Sequence, residues 1–463
     1  MCSLQKIDAS FRDPSGFMFK KDGELYRQIN AIYRENYDHL MNSGLYEALT
    51  KSKLLVSHRE KDDAAPDPQR AYKVIKPEVL PFVSYPYEWC FSQLKDAASA
   101  TLKIQALALK YGMSLKDGSA YNIQFCDGKP VLIDTLSFER YQEGQPWVAY
   151  RQFCQHFLAP LALMSYRDVR LGQLLRIYID GIPLDLVSKM LPAGTWFKFS
   201  LLSHIHLHAK SQEKYADKVV NIKNDHRFSR HSFMALIDNL ISTVDKIVWR
   251  DYKSEWGNYY DNTNYSSEAF DNKKRLVNEL IDQVHPASLW DMGANDGTFS
   301  RIANSKKIPT VSFDIDPVAV ERSYRHMVQH NENGFLPLIF DLTNPSPGIG
   351  WANKERMTLF KRGPVDMVMS LALVHHLAIS NNLPFVKIAE YFKAIGKYLI
   401  IEFIPKNDSQ VVKLLATRKD VFPDYCPEVF EKEFARYFDI IKSCKVADSD
   451  RTIYLMKRKE NIK

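Results

Sequence analysis

The chain has 463 residues, 45% apolar and 25% charged, with a formal net charge of +7, a balance that fits a folded globular protein and excludes collagen, long coiled coil and wholesale disorder. No apolar run reaches the ~18 residues of a membrane span, and Met1 to Phe11 lacks the basic and apolar regions of a secretory signal. The six cysteines are scattered without a Cys-x-x-Cys pair, which argues against a zinc ribbon or disulfide framework and for a reducing cytoplasm.

The charge is unevenly placed. Residues 1–230 carry a net +6 and residues 231–463 a net +1, and between Lys189 and Arg230 eight Lys and Arg face three Asp and Glu. At ~150 residues per domain the length allows two or three domains. The pattern divides the chain into an α+β domain over 1–208, a basic helical connector over 209–255 and an α/β domain over 256–463.

Phe17–Phe19 and Leu25–Ile29 are strand-like runs flanking Asp22-Gly23, a hairpin signal. A helix is predicted from Ala31 to Leu49, strands at Leu54–Val56 and Tyr72–Ile75, and a polar Pro-containing loop between them. Phe91, Leu94, Ala98, Leu102 and Leu109 fall mostly on one face of a helix over 91–111. Ile123–Phe125 and Val131–Ile133 read as strands joined by a turn at Asp127-Gly128, and residues 150–208 read as helices punctuated by Pro160, Pro183 and Pro192. His204, His206 and His208 alternate, but no Cys or carboxylate completes a metal set nearby, so no metal is expected.

From about residue 270 strand-like runs alternate with helical ones. The strands are predicted at 288–290, 310–313, 336–340, 366–369 and 398–401. That alternation predicts a Rossmann-like, mostly parallel sheet with helices on both faces.

The first of these strands runs into Asp291-Met292-Gly293-Ala294-Asn295-Asp296-Gly297 and then a helix. Glycine lets the chain turn sharply and lets a ligand approach the backbone, and a helix start adds free N–H groups. The loop is neither G-x-G-x-x-G nor a P-loop, which argues against a dinucleotide or a triphosphate. The second strand ends in Asp314-Ile315-Asp316, where a carboxylate can accept from two ribose hydroxyls. The third ends in Asp341-Leu342, where a carboxylate can accept from an adenine amino group. All three ends point to the crevice at the carboxyl edge of the sheet.

These residues resemble the class I S-adenosylmethionine-dependent methyltransferases. Asp291 to Gly297 is similar to their D-x-G-x-x-x-G loop, with Asn295 in place of a frequent middle glycine. Ser370-Leu371-Ala372-Leu373-Val374-His375-His376-Leu377 resembles a fourth-strand motif of one subgroup, and Glu402-Phe403 fits the end of the fifth strand. The chain as a whole is similar to long bacterial methyltransferases related to nodulation-type proteins. The resemblance implies S-adenosylmethionine as cofactor, bound by Asp291, Gly293, Asn295, Gly297, Asp314, Asp316, Asp341, Leu342 and Ser370. It puts His375 and His376 where a base for a hydroxyl or amine acceptor would stand. It also implies a lid in the segment with Trp256, Tyr259, Tyr260, Tyr265 and Phe270. The acceptor, whether small molecule, saccharide or macromolecule, is not readable, and neither membrane insertion nor nucleic acid is indicated.

In the N-terminal domain Asp117 is followed by Asn122 and then by Asp134, twelve residues on at the end of a strand. In phosphoryl transfer an Asp can orient the hydroxyl while an Asn and a second Asp hold magnesium. This resembles the catalytic and metal loops of protein-kinase-like folds, with Leu115-Lys116 replacing His-Arg, Thr135-Leu136 replacing Phe-Gly, and Lys73 or Arg27 as the candidate phosphate-binding cation. The expectation is a methyltransferase with a degenerate kinase-like module. The alternatives are a phosphotransferase using Asp117, Asn122 and Asp134, or a non-catalytic adaptor that binds S-adenosylmethionine.

Overall fold

The computed structural model describes residues 4–210, 229–250, 267–416 and 419–460. The chain forms two compact units, Met1–Asp251 with Gly348–Arg356, and Tyr252–Pro347 with Met357–Lys463. Among the described residues no helix is long and apolar enough to cross a membrane.

The first unit is α+β. Strands β1 (Leu4–Lys6), β2 (Gly16–Lys21), β3 (Glu24–Asn30), β4 (His58–Lys61) and β5 (Ala71–Pro77) form an antiparallel sheet in the order β1-β2-β3-β5-β4. The β2–β3 turn is Asp22-Gly23, both at positive φ, which suits a two-residue hairpin loop. The single helix expected over 31–49 is broken. A short 3₁₀ turn leads into α1 (Arg34–Asn42), and Gly44, at φ +87°, starts α2 (Leu45–Lys51). The strand expected at Leu54–Val56 is only a bridge from Leu55 to Leu132, and β4 begins at His58 instead. A long helix, α3 (Phe91–Lys110), buries the predicted apolar face. It leads to two antiparallel ribbons. β6 (Met113–Leu115) pairs with β9 (Phe138–Arg140), and β7 (Ile123–Cys126) pairs with β8 (Lys129–Leu132). The sheet and helix pair are thus followed by a long helix and by two ribbons whose connecting loops hold Asp117, Asn122 and Asp134.

Residues 150–208 are helical, as expected. Of the alternating histidines, His204 and His206 lie on a π-helical turn, Leu202–Leu207, and His208 follows it. His204 bonds Tyr150 and Asn239, both at 2.7 Å, and His206 bonds Ser188 at 2.8 Å and Thr195 at 2.9 Å. Much of the stretch expected as a connector, 211–228 and 251–255, lies outside the described residues; its described helix, α4 (Arg230–Lys246), belongs to the first unit.

The second unit is built on seven strands: β10 (Leu289–Met292), β11 (Thr310–Asp314), β12 (Phe335–Ile339), β13 (Val365–Ser370), β14 (Gly396–Phe403), β15 (Phe438–Lys445) and β16 (Thr452–Arg458). Their order is β12-β11-β10-β13-β14-β16-β15. The first five are parallel, and β16 runs antiparallel to both neighbours. The last two strands escape the sequence reading: β15 is a mostly exposed edge strand, whereas β16 carries a buried apolar run, Ile453–Met456, that the reading passes over. The inner strands are buried on both faces, as parallel strands covered by helices must be. On one face Leu289, Met367, Met369 and Ile400 pack with Leu276, Val277 and Leu280 of α5 (Ser267–Val284). Beside the end of β14, Phe385 of α7 (Phe385–Ile395) packs against Phe403 and Phe430; α6 (Pro317–His330) joins β11 to β12.

Candidate functional site

The chain runs outward from β10 to β11 and β12, then returns to β13 on the other side of β10. The loops on either side of β10 therefore diverge, which leaves a crevice at the carboxyl ends of the strands. A cleft of about 350 Å³ lies there.

The loop after β10 forms one wall. Gly293 has φ +80°, and its N–H and that of Ala294 both donate to the Phe313 carbonyl, at 2.8 and 3.0 Å. A side chain at Gly293 would press on Leu373 at 3.2 Å. Asn295 also has positive φ, a conformation asparagine tolerates better than most residues. Its N–H donates to Asp314 at 2.7 Å, and the second oxygen of Asp314 accepts from the Asp316 N–H at 2.8 Å. Asp314 is thus fixed in place by two backbone donors while its carboxylate retains free acceptor sites. Burial pushes its carboxyl up to about 6, against the pull of those amides. Asp291, on β10 beneath the loop, accepts from the Ser300 hydroxyl at 2.5 Å, and burial pushes its carboxyl up to about 7. Across the cleft Asp341 accepts from the N–H and hydroxyl of Thr343, at 2.8 and 2.6 Å.

Six of the nine residues named for the cofactor line this cleft: Asp291, Gly293, Asn295, Asp314, Asp341 and Leu342. Three do not. Gly297, at φ +83°, shapes the loop against Phe335 and Ser323. Asp316 caps α6 through the Val318 N–H at 2.8 Å. Ser370 is buried at the end of β13. Of the two histidines, His376 lines the cleft. His375 is buried behind it with the ring centroids 4.1 Å apart. Burial pulls the pKa of His376 down to about 4 and that of His375 well below the usual histidine range. Of the aromatic lid segment, Trp256, Tyr259, Tyr260 and Tyr265 lie outside the described residues, and Phe270 lines the cleft.

Lys273 was not singled out from the sequence. It lines the cleft although its side chain is only 2% exposed. Its ammonium donates to Glu402 at 2.7 Å, and the same carboxylate oxygen accepts the Ala372 N–H at 2.7 Å. Burial lowers the lysine pKa, and Glu402 works against that. Arg451 lies 4.0 Å from Glu402 and is paired with Asp408 at 2.7 Å. Three elements are thereby tied together: α5, the end of β14 and the loop after β13. The signal available in sequence was a charge on an apolar stripe, since Lys273 shares its face of α5 with Ala269, Leu276, Val277 and Leu280.

In the first unit Asp117, Asn122 and Asp134 also converge. Burial raises the Asp117 carboxyl, with the Ser119 N–H and Asn122 pulling the other way. Burial would raise Asp134 too, but Arg27, Ser137 and the Leu136 N–H outweigh it and hold the carboxyl below its usual range. Arg27 of β3 forms an ion pair with Asp134. Lys73 instead pairs with Glu60 on β4 at 2.7 Å, so Arg27 is the cation that faces the constellation. Lys116 turns to Ser15 at 2.8 Å and Asp13 at 3.5 Å. Among the described residues no group of His, Cys, Asp and Glu is arranged to hold a metal.

No family model matches the chain. It is 33% identical over 468 residues to the nodulation protein NoeA of Rhizobium meliloti (strain 1021), covering 98% of this chain and 96% of that one. Among solved structures, magnesium protoporphyrin IX methyltransferase (ChlM) from Synechocystis PCC 6803 is 15% identical, over 44% of this chain and 93% of that one, with a TM-score of 0.32. The N-methyltransferase NodS from Bradyrhizobium japonicum WM9 is 10% identical, over 42% of this chain and 99% of that one, at 0.31. The bifunctional kinase-methyltransferase WbdD is 12% identical, over 43% of this chain and 42% of that one, at 0.29.

Proposed function

The chain belongs to the family of the nodulation protein NoeA, and we propose that its second unit is an S-adenosylmethionine-dependent methyltransferase. The observation that carries this reading is the convergence of Gly293, Asp314 and Asp341 from three successive strand ends on one cleft.

The residues fit the cofactor group by group. Asp314, held by two amides, presents acceptors for a pair of ribose hydroxyls. Asp341 and Leu342 offer an acceptor and an apolar contact for adenine, beside Phe340. The positive-φ backbone at Gly293 brings the chain close to the ligand without a side chain in the way. Lys273 is a buried cation in a cleft otherwise supplied with carboxylates, and it complements the amino-acid carboxylate, the ligand's one anionic group.

The cofactor brings a methyl group already activated on a positively charged sulfur. The protein's part is to orient the acceptor in line with that carbon and to exclude water. Phe270, Phe299, Leu371 and Leu377 make the lining apolar. His376, neutral at pH 7, is placed to take a hydrogen bond, and with the departing proton a charge, from a hydroxyl or amine acceptor. A cytoplasmic location, where the free cysteines stay reduced, accords with this reading. The phosphotransfer reading of Asp117, Asn122 and Asp134 has weaker support, because Asp134 is already engaged by Arg27.

Calorimetry with S-adenosylmethionine on the wild-type chain and on Asp314→Ala tests the binding. The proposal requires saturable binding that the substitution weakens by at least about tenfold, as expected for losing a charged hydrogen-bond acceptor. Absence of binding, or equal binding by both proteins, refutes it. Labelled-methyl transfer into fractionated lysate then separates an enzyme from a binding-only adaptor.

A further inference from the structure

The first unit carries a feature that neither the methyl-transfer site nor the Asp117 constellation uses. Phe197 is 92% exposed and Phe199 is 74% exposed. They sit on a short turn, Ala193–Phe197, and at the start of the helical turn that follows it. The turn is anchored from below. Thr195 is buried and bonds the Pro192 carbonyl at 2.6 Å and His206 at 2.9 Å, and Trp196 stacks on the His206 ring at 4.3 Å. The two phenylalanines are therefore held outward by a pinned backbone.

Cations surround them. Lys198, between the two phenylalanines, lies 4.8 Å from the Tyr166 ring, and the Arg250 guanidinium lies 5.0 Å from the same ring. Lys210 lies 4.7 Å from the Trp196 ring. Arg167 donates to the Met190 carbonyl. Lys198, Lys210 and Arg250 thus each face a ring, and no ion pair joins any of them to a described carboxylate. Val248, 55% exposed, adds apolar surface beside Tyr166, tied there through the Ser165 hydroxyl at 2.8 Å.

A lone exposed apolar residue needs no explanation, but two largely exposed aromatics on a pinned turn, with Lys198 between them and further cations over the Tyr166 and Trp196 rings, form a patch with a definite complement. Aromatic rings enter the headgroup and acyl boundary of a bilayer, and flanking Lys and Arg are drawn to an anionic lipid surface. We infer that the Trp196–Phe199 turn, with Lys198, Lys210, Arg167 and Arg250, is a peripheral docking surface for an anionic bilayer. The local basic excess from Lys189 to Arg230, which the methyltransferase reading leaves unused, has the same sign. This inference does not depend on the methyl-transfer reading.

The test is co-sedimentation of the full-length chain with vesicles of phosphatidylcholine alone and of phosphatidylcholine mixed with phosphatidylglycerol. Binding to the mixed vesicles only, weakening with added salt, is expected. Phe197→Ser with Phe199→Ser lowers the partition coefficient by at least about tenfold. Lys198→Glu with Arg250→Glu also weakens binding, by roughly fivefold or more. These side chains are at the surface, so an unchanged thermal melt confirms that each variant is folded. Three results overturn the inference: no binding to mixed vesicles, equal binding to both compositions, or phenylalanine variants that bind as well as the parent. Loss of self-association by size-exclusion light scattering, with vesicle binding unchanged, also overturns it and assigns the patch to a second copy of the chain.

Discussion

Replacing Glu402 with glutamine removes one charge and almost nothing else. The side chain is fully buried and its Oε2 serves two donors, the Lys273 ammonium and the Ala372 N–H, each at 2.7 Å. Glutamine keeps a carbonyl that can still accept from the amide, so the loss falls on the ammonium. A buried charge stripped of its partner costs about 3–5 kcal/mol. A ceiling comes from the lysine itself, which can shed its proton; from an unperturbed value near 10.4, that costs about 4.6 kcal/mol at pH 7, at ~1.4 kcal/mol per unit. A loss of about 3–4.5 kcal/mol is therefore expected, or roughly 6–18 °C in Tm for a unit of about 200 residues. Lys273→Met should cost less, about 1–3 kcal/mol, because Glu402 keeps the Ala372 N–H and has Arg451 at 4.0 Å. Urea denaturation of both variants, and of the double variant, measures the ordering. A loss below about 1 kcal/mol for Glu402→Gln, or a larger loss for Lys273→Met, refutes the argument that the carboxylate is the hub of this cluster.

Gly297→Ala should lower stability by about 1–3 kcal/mol in the same urea experiment, since at φ +83° its Cβ would sit 2.9 Å from the Phe335 ring and the Ser323 hydroxyl; an unchanged midpoint refutes the close approach. The raised carboxyl of Asp314, about 6, has two consequences of opposite sign. Ribose hydroxyls need the ionised form, so cofactor affinity should rise as pH rises through about 6, while the ligand-free protein loses this group's stabilising contribution as pH rises from about 4, where the unfolded carboxyl ionises, to about 6, because the folded state holds its proton more tightly than the unfolded chain. Calorimetry between about pH 5 and about pH 8 and thermal melts between about pH 4 and about pH 7 check both signs, and a flat binding profile sinks the role given to Asp314. With its pKa near 4, His376 stays neutral across the neutral range, so kcat should show no limb at the usual histidine value; such a limb, removed by His376→Gln, contradicts its burial. Arg27→Met should cost the first unit about 3 kcal/mol by leaving Asp134 buried without its cation, and Asp134→Asn on that background should restore much of it, read from thermal melts.

The strand runs, the helix over 91–111 and the Asp-Gly turns were legible in the sequence because each depends on local periodicity or on a turn that only certain residues adopt. The three strand-end acids were legible for a related reason. In a parallel sheet every strand enters from the same side, so the residue after each strand necessarily reaches the same edge. The chain order could not reveal what sits around those acids. Lys273 and Glu402 are 129 positions apart and Arg27 and Asp134 are 107 apart, and no local pattern pairs charges at that distance. Residue type also did not separate His376, which lines the cleft, from its buried neighbour His375, nor Asp314 from Asp316, which turns away to cap a helix. Side chains one or two positions apart leave the backbone in different directions, and only the packed loops after β11 and β13 fix which of them faces the cleft.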